Sequence, residues 1–167
     1  MPFERIFDCQ VKPGRYLVTD PCYVIPNDDW DDFCNVVYGS GPDVVLYKTE
    51  NEFFGDKIFC WGTADGDGCY PIYKNGIKIG DLGVDAGMLS LIPLEACAKW
   101  GKNTGGGVEI EIFVPTTVQE FRPDQYLKNY DPTGNMQFGQ FVVITGGYDP
   151  YESHRSDDDD NDNNDDC

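Results

Sequence analysis

Apolar residues in this chain come in short runs, each cut off by Gly, Pro, Asp or Asn within a few positions. That punctuation leaves no room for long helices, nor for the strand–helix alternation that a doubly wound parallel sheet requires. Strands are expected at 15–19, 43–48, 52–64, 70–73, 77–79, 88–92, 108–114 and 136–145, with an N-terminal segment over 3–9. Lys74-Asn75-Gly76 joins two of them, and Asn-Gly is a strong two-residue hairpin signal because both positions accept positive φ. At 108–114 the pattern alternates strictly: Val108, Ile110, Ile112 and Val114 fall to one face, Glu109 and Glu111 to the other. This is the mark of a strand with one wet side, typical of antiparallel sheets.

Two short helices interrupt the strands. Over 27–38, Asn27 is a suitable N-cap and four Asp residues crowd the first turns, where the helix dipole favours them. Trp30, Phe33, Cys34 and Val37 then form one apolar stripe. Over 93–100, Pro93 suits the first turn and Gly101 the stop. A single turn is read at 124–130, and 22–25 reads as extended. The expected fold is mainly β: an antiparallel β-sandwich or partly open barrel with two short helices.

The C-terminus is different in kind. Seven Asp and three Asn fill positions 157–166, with no apolar residue among them. Such a run cannot bury enough surface to offset its ordering entropy, so a disordered acidic tail is expected over 151–167 and a single globular domain over 1–150. Without those seven Asp the chain still carries 12 Lys and Arg against 23 Asp and Glu, a net −11 out of the full −18. A body this negative repels phosphate backbones and anionic membrane surfaces, which argues against direct nucleic-acid or membrane binding and for a protein partner with a basic surface. No apolar leader and no membrane-spanning run is present, so a cytoplasmic location is expected (the host cytoplasm or a virion if the protein is viral). The seven cysteines are scattered and include no CxxC pair, and those of the body are read as buried, reduced thiols rather than as a disulfide framework or a zinc site, with Cys167 in the tail exposed and open to oxidation or crosslinking.

Asp, Gly and Tyr concentrate in three stretches beside apolar strands: Asp20 to Val24, Thr63 to Pro71 and Val84 to Gly87. If these turns share one end of the sandwich, Asp20, Asp65, Asp67 and Asp85 converge, with Tyr23 and Tyr70 as aromatic walls. Grouped carboxylates of this kind hold a hard divalent cation, Ca or Mg, or pair as general acid and base. Against that, Asp-Gly is ordinary turn chemistry. The Asp65-x-Asp67-Gly68 start is no EF-hand, because the glycine stands too early and Gly76 replaces the closing Glu. His154 is the sole histidine and lies beside the tail, which leaves a Ser-His-Asp or Cys-His site in the body without a base. No Walker or dinucleotide fingerprint is present.

The segments DPCYVIP with Trp30, TADGDGCYP and VDAGMLSLIP resemble a pattern in small uncharacterised proteins of bacteriophages and microbes. The second and third also resemble part of a bacterial domain of unknown function. The resemblance spans about residues 15–93 and implies a shared site in the three turns and an accessory, viral or microbial role, without assigning catalytic residues. The expectation is therefore a non-enzymatic binding or structural accessory protein whose acidic surface engages basic or cationic partners. A small-ligand or divalent-metal pocket in the Asp/Gly/Tyr turns is the first alternative, and a metal-dependent hydrolase using the same carboxylates the second.

Overall fold

The computed structural model describes residues 3–39, 44–48, 57–101, 105–121, 134–146 and 149–152. Eleven strands and two short helices are found there: β1 (Phe3–Val11), β2 (Gly14–Thr19), α1 (Trp30–Gly39), β3 (Val44–Lys48), β4 (Lys57–Gly62), β5 (Gly68–Lys74), β6 (Ile77–Val84), β7 (Met88–Pro93), α2 (Leu94–Trp100), β8 (Val108–Ile112), β9 (Thr116–Phe121), β10 (Met136–Phe138) and β11 (Phe141–Val143). They build two antiparallel sheets, β1-β9-β10-β11-β5-β6 and β3-β4-β7-β2-β8. The expected mainly-β antiparallel fold with two short helices is the fold observed, and its two sheets are consistent with either the sandwich or the partly open barrel.

Three apolar layers explain why the strands read as they do. Between the sheets lie Val18, Phe59, Trp61, Leu89 and Leu91 from one side and Ile72, Leu82, Val118, Phe138 and Val143 from the other. The alternate residues of the five-stranded sheet, among them Leu17, Ile58, Cys60, Met88 and Ile92, face outward against Phe33 and Val37 of α1 and Ala96 and Trp100 of α2. Its central strands are thus buried on both faces, which is why β4 and β7 are continuous apolar runs rather than alternating ones. A third, smaller cluster of Tyr73, Phe121, Val142 and Ile144, joined by Tyr151, covers part of the outer face of the six-stranded sheet.

Local chemistry sets several boundaries. Asn75 and Gly76 both adopt positive φ, 50° and 78°, giving the primed hairpin turn expected of Asn-Gly. Gly101 closes α2 in the left-handed conformation at φ 67°, and its N–H donates to the Cys97 carbonyl. Pro93 is the residue before α2 rather than its first residue. The first helix starts later than expected: 27–29 form a separate 3-10 turn and α1 begins at Trp30, with Phe33 and Val37 buried as the stripe requires. The alternating strand β8 ends at Ile112, leaving Phe113 and Val114 exposed.

Five readings are corrected. Residues 21–23 are a 3-10 turn, not extended chain, because the Asp20 carboxylate accepts from the Cys22 N–H at 2.8 Å and closes the turn. The segment 136–145 is two strands folded back at Gly139, whose φ of 63° permits the reversal. Strand β6 runs on through Gly80-Asp81-Leu82-Gly83, and β9 is a strand where none was assigned. Packing also continues past residue 150, since Tyr151 stands 4.9 Å from Tyr73 and 6.0 Å from Phe121, centroid to centroid. The turn read at 124–130, most of the tail and part of the strand read at 52–64 lie outside the described residues. No helix among the described residues is long and apolar enough to cross a membrane.

Candidate functional site

The three Asp/Gly/Tyr turns do gather at one end of the sandwich, but they meet through backbone. Asp20 sits at the end of β2 and is wholly buried. Its Oδ1 accepts from the Cys22 N–H, and its Oδ2 accepts from the N–H groups of Asp85 at 2.8 Å and Ala86 at 2.7 Å. Three charge-assisted bonds occupy both oxygens, so this carboxylate ties the β6–β7 turn to the end of β2. Beside it the Tyr23 hydroxyl donates to Asp85 Oδ2 at 2.5 Å. Burial first, and then that bond to Asp85, push the Tyr23 phenol well above its ordinary value.

Asp65, Asp67 and Tyr70 belong to the neighbouring β4–β5 turn. There the Tyr70 hydroxyl and Thr63 Oγ1 both donate to the Gly66 carbonyl, at 2.8 and 2.6 Å, holding the loop closed. The Thr63 N–H donates to the Gly87 carbonyl at 3.0 Å and so joins this turn to the one that Asp20 holds. Asp65, Asp67 and Asp85 are exposed. Burial raises the Tyr70 phenol, the hydrogen bond with Thr63 opposes the rise, and the Asp65 and Asp67 charges add to it.

The structure thus brings Asp20, Tyr23 and Asp85 into one hydrogen-bonded unit and leaves Asp65, Asp67 and Tyr70 on the adjoining turn. The four carboxylates do not form the cation site anticipated for Ca or Mg. Among the described residues no group of three or more Asp, Glu, His or Cys is placed to hold a metal ion. The physical reason is that Asp20 spends both oxygens on backbone donors.

A second feature lies on the outer face of the six-stranded sheet. Strands β5 and β6 and residues 144–146 and 149–152 enclose an open groove of about 680 Å³. Tyr73 and Tyr151 contribute its aromatic walls, and Asp65, Asp81, Asp149 and Glu152 its carboxylates. Lys78 is the one basic side chain among the described residues that line it, and it pairs with Asp81 at 2.7 Å. Asp149 is anchored at both oxygens: Oδ2 accepts from the Tyr73 hydroxyl at 2.5 Å and Oδ1 from the Tyr151 N–H at 2.8 Å. Burial, then the bond to Asp149, and the charges of Asp149, Glu152 and Asp81 all drive the Tyr73 phenol upward.

Sequence reasoning missed this groove. Its residues come from 65–81 and 144–152, and the second stretch reads as an exit toward the tail. The signal that was present is Tyr148-Asp149-Pro150-Tyr151-Glu152, two aromatics where a solvated tail needs none. Also missed was Asn135, buried where its Oδ1 accepts from the N–H groups of Thr145 and Gly146 and its Nδ2 donates to the Gly146 carbonyl.

Cys69 borders the groove on an exposed position and is disulfide-bonded. For Cys69 this corrects the reading of the body's cysteines as reduced thiols. Cys22, Cys34, Cys60 and Cys97 are free thiols. Burial, and secondarily the charge of Asp20, raise the Cys60 thiol far above its ordinary value, which makes it inert.

Comparison with known protein families, with characterised proteins and with solved structures finds no match to this chain.

Proposed function

We propose that this is a non-enzymatic binding protein whose acidic surface engages a protein partner of opposite charge. One observation carries the reading: the groove on the six-stranded sheet is edged by four carboxylates, and the one cation in its lining is already paired with one of them. A phosphate-bearing ligand gains nothing from such a lining, whereas a cationic one is drawn in by the local field and by the net −18 of the chain. The turn carboxylates support the same reading from the other side, since Asp20 serves the fold and forms no acid–base pair. An accessory role in a virus or microbe follows from the resemblance in the three turns. An exposed disulfide at Cys69 persists outside reducing compartments, so a particle surface fits it better than the cytoplasm.

The test is calorimetric titration of the full chain with a lysine homopolymer at increasing salt. Binding should be present at low ionic strength and fall steeply between about 50 and 200 mM salt as the Debye length shrinks. Absence of binding at the lowest salt, or affinity independent of salt, would overturn the proposal.

A further inference from the structure

The acidic field says that a cation is attracted but not where it docks. We propose that the groove between β5–β6 and segment 149–152 seats the lysine or arginine side chain of an extended partner segment, with an apolar partner residue packing on Ile77. This inference rests on the binding role proposed above and assigns it a place.

Three independent features converge there. The first is shape: a groove of about 680 Å³, open to solvent, admits a side chain without any rearrangement of the fold. The second is its aromatic wall. Tyr73 and Tyr151 stand 4.9 Å apart at 42°, and Tyr151 stacks in turn on Phe121, so the rings are braced from behind. Ring faces attract an ammonium or guanidinium, and the carboxylates of Asp149 and Glu152 beside them add hydrogen-bond acceptors for the same group. The third is an apolar element with no reason of its own to be exposed. Ile77 lines the groove and is 71% exposed, and Ile79 on the same strand is 40% exposed. An apolar anchor within a charged rim is the composition of a binding surface.

The occupant is a side chain rather than an added strand. β6 is an edge strand, but its pairing is broken by a bulge between Ile72 and Tyr73, and the Lys78–Asp81 pair stands along it. Bulges and edge charges oppose strand addition. A second copy of this acidic chain is disfavoured by its own charge, and a metal ion lacks the ligand set among the described residues.

The experiment is fluorescence anisotropy of a labelled hexapeptide alternating arginine and leucine, titrated with the full chain at about 20 mM salt. Glu152→Lys reverses one exposed charge at the groove, and Glu95→Lys makes the same change on α2, across the molecule on the outer face of the other sheet. Glu152→Lys should weaken binding about tenfold and Glu95→Lys less than about twofold. Tyr151→Ala should weaken it about three- to tenfold while Tyr151→Phe, which keeps the ring face, preserves it. If Tyr151→Ala fails to fold, the two charge reversals decide alone. Equal weakening by both reversals would overturn the groove as the docking place while leaving an acidic binding protein standing. No binding of the peptide or of the lysine homopolymer by the unaltered chain would overturn both.

Discussion

The wholly buried carboxylate of Asp20 holds the backbone of Asp85, 65 residues further along the chain, through an N–H···O bond of 2.8 Å. The end of β2 and the turn between β6 and β7 are thereby locked, and the turn between β4 and β5 is joined to them through Thr63 and Gly87. What looks in the sequence like a ligand site is in good part a clasp.

Asp20→Ala should therefore be costly and Asp67→Asn nearly neutral. Removing Asp20 strands three backbone donors, at a cost of about 3 kcal/mol. The melting temperature should fall by about 10 °C. Asp67 is exposed, and its amide variant should stay within about 0.5 kcal/mol. Thermal melts followed by circular dichroism check both. An Asp20→Ala variant as stable as the parent would show that the fold does not depend on this carboxylate.

Asn135→Ala should destabilise the molecule by about 2–3 kcal/mol, because it leaves the buried N–H groups of Thr145 and Gly146 without their acceptor. Urea unfolding should show an unchanged slope and a lower midpoint. An unchanged midpoint would mean that the segment entering the groove is held by other contacts.

Tyr16, Tyr23, Tyr70 and Tyr73 all have raised phenol values, burial being the leading cause in each. In the unfolded chain these groups ionise near the ordinary value of about 10. Because the folded values lie higher, their stabilising effect is complete below pH ~10 and is lost as pH rises past it, where the unfolded chain sheds protons that the folded one retains. Melting temperature should decline above pH ~10, and ultraviolet titration should show late-ionising tyrosines. Tyr73→Phe should lessen the alkaline decline.

Alkylation in denaturant without reductant should label Cys22, Cys34, Cys60 and Cys97 and leave Cys69 unlabelled until a reductant is added. Peptide mass mapping reads this directly. Labelling of Cys69 in the first step would show that the purified protein lacks the bond.

The sequence by itself determined the class of fold. Turn residues every few positions allow only short elements, strict alternation at Val108 to Ile112 requires a half-exposed strand, and Asn75-Gly76 can scarcely form anything but a hairpin turn. These are local rules, settled by neighbours along the chain. It also brought the right turns together, since Asp20, Asp65, Asp67 and Asp85 do share one end. What their carboxylates do there was decided only in three dimensions. Whether an Asp binds a cation or a backbone N–H depends on which donors the other strands deliver to it, and Asp20 meets three. The groove was hidden for the same reason: Tyr73 and Tyr151 are 78 positions apart, and only the pairing of β11 with β5 carries the chain back over the outer face where the two rings meet.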